Sequence, residues 1–164
     1  MKMPISSPFS YAEVGLSNRS IQITQTIASI ELLEQQIEEI ETMIEDTMKE
    51  LDSVIMTIPG IGAMDGAMIL GEIGDISRFA SASKLLAYAG LDPTVCQSGN
   101  FRARSTRMSK RGSKTLRFDL INAAWQLTLH SDVFKAYYDL KRFAGLGHYA
   151  ALGHVAHKLV RVLF

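Results

Sequence analysis

The chain has 164 residues, 47% of them hydrophobic, with 17 lysines and arginines balancing 17 aspartates and glutamates. That is room for one folded domain and an extension. Zero net charge excludes a globally basic nucleic-acid binder, so any polyanion site must come from local asymmetry. A lone cysteine, Cys96, excludes an internal disulfide and suits a reducing compartment, while no apolar run approaches the ~20 residues of a membrane helix.

Residues 1–19 mix Pro4, Pro8, Gly15 and several serines and read as a flexible arm without a signal-peptide pattern. Over residues 20–55 the pattern turns helical. Ile23, Ile30, Ile37, Ile44 and Leu51 recur every seven residues, and Ile27, Leu33, Ile40, Met48 and Ile55 fill the alternate positions. This predicts a long coiled-coil-type helix. At 1.5 Å per residue it spans about 50 Å, more than a small domain can cover, so part of it should meet another chain or an antiparallel helix. The plainer reading is a helix packed on its own domain. Its surface is acidic: Glu31, Glu34, Glu38, Glu39, Glu41, Glu45, Asp46, Glu50 and Asp52 have Lys49 as their one basic neighbour.

Residues 56–164 read as a compact, mainly α domain. Pro59 and Gly60 end the long helix, Gly62 permits a tight turn, and Ala63, Ala67 and Leu70 begin a second helix. Pro59-Gly60-Ile61-Gly62 between two helices is helix-hairpin-helix-like. In such a motif, free N–H groups at the second helix's start meet a phosphate, and glycines let the backbone approach. A helix corner without a ligand reads the same way. Residues 71–79 form a break, Ser81 or Ser83 caps a short helix over 84–89, and Gly90 to Pro93 ends it. Ser113 is expected to cap a helix through Leu116, Leu120, Ala123, Ala124 and Leu127. A further helix from Ser131 and Asp132 has Val133, Phe134, Tyr137, Tyr138 and Leu140 as its apolar side. The last runs over about 150–163, and the aromatic positions are expected in the core. His154 and His157 stand three apart, but no carboxylate or cysteine completes a ligand set, so no metal site is expected in this chain.

Between Cys96 and Arg117 stand Arg102, Arg104, Arg107, Lys110, Arg111, Lys114 and Arg117, without one acidic residue. Ser98 precedes Gly99 at the head of this stretch. A polyanion held beside a nucleophile would need such an arrangement; a solvated loop before a helix is the alternative. Ser98, Ser105, Ser109 and Ser113 are all nucleophile candidates by chemistry alone.

The ordered set Ile58-Pro59-Gly60-Ile61-Gly62, Gly74-Asp75-Ile76-Ser77-Arg78-Phe79, Tyr88-Ala89-Gly90-Leu91-Asp92-Pro93, Ser98-Gly99 and Ser109 through Arg117 resembles a known domain. It is similar to the C-terminal transposase domain of the DEDD-type, bridge-RNA-guided insertion-sequence transposases, the family numbered one hundred and ten. The resemblance covers about residues 20–164, including a tail from Tyr137-Tyr138-Asp139-Leu140-Lys141 through His157-Lys158-Leu159-Val160-Arg161.

The resemblance implies a serine nucleophile for DNA strand cleavage and exchange, placed by motif at Ser98, with Arg102 and Arg104 stabilising the phosphorane-like transition state. Gly60, Gly62, Arg107, Lys110, Arg111, Lys114 and Arg117 would hold nucleic acid. It further implies DNA and structured guide RNA as partners, homo-oligomerisation through residues 20–55, and a bacterial or archaeal cytoplasm. Mg2+ would be bound by an N-terminal RuvC-like domain that this sequence lacks, so the chain is expected to be a C-terminal piece. The alternative is a nucleic-acid-binding and oligomerisation module without catalysis of its own.

Overall fold

The computed structural model describes the backbone of residues 11–94, 97–98, 101–102 and 108–164, and side chains from residue 18 onward except in 97–98 and 101–102. It is mainly helical and divides into two units, Met1–Met43 and Ile44–Phe164.

The first unit is drawn from helix α1, Tyr11–Leu51. The helix begins at Tyr11, so residues 11–19, expected as an arm, are helical. Extending an existing helix costs far less than nucleating one, and a glycine such as Gly15 costs only about 1 kcal/mol. Thr24, Thr26, Ser29 and Thr42 bond the carbonyls four residues back, which satisfies their hydroxyls inside the helix. The heptad positions Ile23, Ile27, Ile30, Leu33, Ile37 and Ile40 are all exposed.

In the second unit, α1 stops at Leu51 rather than at Ile55. Asp52 takes a left-handed conformation (φ 44°), and Ser53 caps a 3-10 turn, Val54–Thr57. The turn carries Ile55 into the core. Helix α2, Ala63–Ile73, runs through the expected break as far as Gly74, whose φ of 61° ends it. Asp75 caps a second 3-10 turn, Ile76–Arg78, and α3 covers Ala82–Tyr88. After a short ribbon come α4, Lys114–His130, α5, Asp132–Phe143, and α6, His148–Leu163.

α4 is central, packed on α2, α5 and α6. Its face of Leu116, Leu120, Ala123, Ala124 and Leu127 is fully buried, as its spacing predicts. α6 answers with Ala151, Val155, Ala156, Leu159 and Val160. The alanines let the two helices come close. The expectation for α5 is corrected. Phe134 is buried, but Val133 (65% exposed) and Leu140 (60%) face outward. Nor are the aromatics all core: Phe118, Tyr149 and Phe143 (93%) are exposed. A twelve-residue helix on the surface of a small domain buries one narrow stripe, and α5 carries more apolar residues than that stripe holds.

Candidate nucleic-acid interface

The basic stretch is held at its base by two segments of irregular backbone that lie side by side. The Ser113 N–H donates to the Tyr88 carbonyl (2.7 Å), the Lys110 N–H to that of Gly90 (3.0 Å) and the Ser109 N–H to that of Asp92 (2.8 Å). Pro93 and Met108 complete the pairing as an antiparallel bridge. Tyr88-Ala89-Gly90-Leu91-Asp92-Pro93 and Met108 through Ser113 thus form a neck, joining two of the motifs noted in the sequence. Gly90 has φ 67°, and the backbone N of Gly112 lies 2.7 Å from where a Gly90 Cβ would stand. Both glycines are required by this close approach.

Side chains lock the neck. The Ser109 hydroxyl donates a short hydrogen bond to Asp92 Oδ1. Arg117 donates through Nη1 to the Ala89 carbonyl (3.1 Å). His157, from α6, bonds the Leu91 carbonyl through Nε2 at 2.8 Å. Because a carbonyl can only accept, that nitrogen carries the proton. Ser113 caps α4 as expected, accepting from the Leu116 N–H (3.1 Å) while donating to Glu72 Oε2 (2.8 Å).

Between the two halves of the neck in sequence, strands β1 (Gln97–Ser98) and β2 (Phe101–Arg102) pair antiparallel, with Ser98 opposite Phe101 and Gln97 opposite Arg102. The structure therefore puts Ser98 and Arg102 on adjoining strands of one ribbon. Arg104 and Arg107, like the rival Ser105, lie outside the described residues. Ser109 and Ser113 have their hydroxyl protons committed to Asp92 and Glu72 within the fold.

Lys110, Arg111 and Lys114 are exposed around the start of α4. Lys110 is left-handed (φ 55°), a conformation costing a non-glycine residue about 1–2 kcal/mol and held here by its bond to Gly90. Arg117 is half-buried and spends a donor on the neck, bracing the cations more than extending them. From Pro93 to Phe118 no acidic residue offsets this charge.

The two glycines of the hairpin-like motif have different surroundings. Gly60 has φ 86°, and a Cβ there would meet His130 Cδ2 at 2.9 Å and the Gln126 carbonyl at 3.0 Å. Its need for glycine is internal to the fold. Gly62 caps α2 without a side chain, is exposed, and has open space where a Cβ would stand. Asp65 in the first turn of α2 already offers that helix end a negative charge.

One buried acid went unnoticed in the sequence. Asp119, on α4, is 3% exposed, and its Oδ2 has no hydrogen-bond partner. Burial, then the charges of Glu72 and Asp65, push its carboxyl above the ordinary range. Among the described residues no three His, Cys, Asp or Glu side chains gather so as to hold a metal ion. The magnesium implied by the resemblance finds no ligand set among them. No described helix is long and apolar enough to cross a membrane.

The chain is similar to proteins of bacterial insertion elements. It is 27% identical over 152 residues to the 43.6 kDa protein of insertion element IS110 from Streptomyces coelicolor, covering 92% of this chain and 37% of that protein. It is 30% identical over 134 residues to the 44.8 kDa protein of IS116 from Streptomyces clavuligerus, covering 80% and 33%. With the pilin gene-inverting protein of Moraxella bovis it shares 42% identity over 72 residues, 44% of this chain and 22% of that one. The chain thus spans about a third of the length of the insertion-element relatives. The family described as Transposase IS116/IS110/IS902 matches residues 52–139, more than half of the chain and the whole neck, and the protein belongs to that family.

Proposed function

We propose that this chain is the part of a transposase that holds DNA and supplies the serine for strand cleavage and exchange. One observation supports the reading: the neck, which closes the acid-free segment between Pro93 and Met108, with Ser98, Arg102, Arg104 and Arg107 inside it and Lys110, Arg111, Lys114 and Arg117 at or just after its second half.

In this reading Lys110, Arg111 and Lys114 seat the nucleic-acid backbone and Arg107 extends that surface. Gly62, at the open start of α2, lets a second phosphate approach, while Gly60 shapes the turn that presents it. Ser98 Oγ bonds to the phosphorus of a DNA phosphodiester as the bond from phosphorus to the departing nucleoside oxygen breaks. The serine proton leaves to solvent, and the departing oxygen takes one up. Arg102 and Arg104 offset the charge gathering on the phosphoryl oxygens. Attack by another strand's hydroxyl reverses the step and completes exchange. A structured guide RNA is the second polyanion for the cationic surface, and copies assemble through the exposed heptad seam of α1.

A nicked duplex that traps covalent intermediates tests this. An SDS-resistant adduct that disappears in Ser98→Ala and persists in Ser109→Ala and Ser113→Ala is the expected result. An adduct surviving Ser98→Ala removes the serine from its role. Salt-sensitive binding with no adduct from any variant would leave the chain as a binding and assembly module.

A further inference from the structure

From Leu140 to the C-terminus the chain contains Lys141, Arg142, Lys158, Arg161 and three histidines, but no aspartate or glutamate. His154, Lys158 and Arg161 recur on one face of α6 at spacings of four and three. α5, packed alongside, contributes Tyr137 and Lys141. The Lys141 Nζ lies 5.2 Å from the centre of the Tyr137 ring, and the Lys158 Nζ lies 5.1 Å from the centre of the same ring. Both ammonium heads therefore lie beside the same aromatic ring. Among the described residues the ion pairs are those of Lys49 with Glu45 and Asp46, so no described carboxylate lies in ion-pair contact with either head. The exposed His154 ring stands 6.3 Å from that of His157, which itself bonds the neck at Leu91. Cations beside one ring, with no carboxylate in ion-pair contact, favour an anion from outside.

We propose that Lys141 and Lys158, beside Tyr137, and His154, one turn before Lys158 on α6, form a second phosphate-binding site, which seats the backbone of the same duplex DNA that the neck engages. The site is distinct from the cations at the start of α4 and lengthens the DNA track across α5 and α6. The inference rests on the reading of the neck as a DNA-binding surface. It adds that α5 and α6 take part in holding the DNA. His154 supports it. Partial desolvation, then Lys141 and His157, hold its imidazole below the ordinary value, and an arriving phosphate would reverse that.

The test is a salt titration of duplex DNA binding by the 164-residue chain, comparing three variants. Lys141→Gln with Lys158→Gln should lower the slope of log affinity against log salt by about 0.9 for each phosphate no longer neutralised. Lys141→Arg with Lys158→Arg should restore it. Lys110→Gln with Lys114→Gln reports independently on the neck. A slope lowered by the neck pair but unchanged by Lys141→Gln with Lys158→Gln overturns this site and leaves the parent reading standing. Slopes unchanged by either pair, or no binding at low salt, overturn both. The same titration with duplex RNA separates the sources: a loss confined to RNA overturns the assignment to DNA. A proton NMR titration gives a readout independent of the substitutions. Adding the duplex should raise the His154 pKa, and an unmoved pKa counts against the site.

Discussion

A Cβ on Gly112 would fall 1.9 Å from the carbonyl oxygen of Tyr88, and the neighbouring Ser113 N–H bonds that same oxygen at 2.7 Å. The two segments of the neck are thus in backbone-to-backbone contact, with no room for a side chain between them. Gly112→Ala must push them apart and break the bonds around Tyr88 and Gly90. A loss of about 3 kcal/mol is expected, at the upper end for overpacking because backbone rather than a flexible side chain must yield. Chemical denaturation reads it directly. An unchanged unfolding midpoint would show that the neck does not have this geometry.

Gly60 and Gly62 should respond differently to alanine. At Gly60 the positive φ and the contacts with His130 and Gln126 predict a stability loss of about 1–2 kcal/mol. At Gly62 nothing meets the new methyl group and only alanine's poorer capping of α2 counts, so the stability loss should stay below about 1 kcal/mol. If a phosphate approaches the start of α2, Gly62→Ala still weakens DNA binding several-fold. A variant with unaltered affinity would show that the turn is only a helix corner.

Asp119 should make the fold prefer acid. Its carboxyl is raised above 3.8 on folding, so the folded state binds the proton more tightly than the unfolded chain does. The advantage is full below 3.8 and is lost as pH rises through the raised value. Asp119→Asn removes that loss. The variant should be about 1 kcal/mol more stable than the parent near neutral pH, with the difference vanishing at about pH 3. Thermal melts across that range measure it. Destabilisation at neutral pH would instead mean that the ionised carboxylate makes a needed interaction.

The heptad positions of α1 give a fourth expectation. Ile30 and Ile37 are each about half exposed and sit one heptad apart. Ile30→Lys with Ile37→Lys should convert an oligomer to a monomer by light scattering while leaving thermal unfolding of the Ile44–Phe164 unit unchanged. An unaltered mass would place assembly elsewhere.

What the sequence disclosed depended on the period of the signal. The buried face of α4 was legible residue by residue because Leu116, Leu120, Ala123, Ala124 and Leu127 follow helical spacing, and Ser113 announced its own cap. The heptads marked α1, though neither of its ends. Its stop is set by Asp52, an acid in a conformation usually left to glycine. The neck has no period. Its two halves are linked by bonds such as Lys110 to Gly90, twenty residues apart, between segments that are neither helix nor strand. Motif order hinted that they belonged together without saying that they touch. Asp119 was illegible for another reason: a lone acid in an amphipathic helix usually faces water, and only packing against α2 shows this one buried.

The neck also bears on how such a domain diversifies. Its bonds lie below the sequence that separates Pro93 from Met108, and the backbone groups that make them do not depend on what that sequence is. Closing the loop is therefore an entropic cost met by the scaffold, and it changes only slowly with loop length. Residues between those two anchors can be exchanged, lengthened or recharged as a cassette while the helices beneath keep their packing. The domain is built so that selection can rewrite its chemistry without renegotiating its fold.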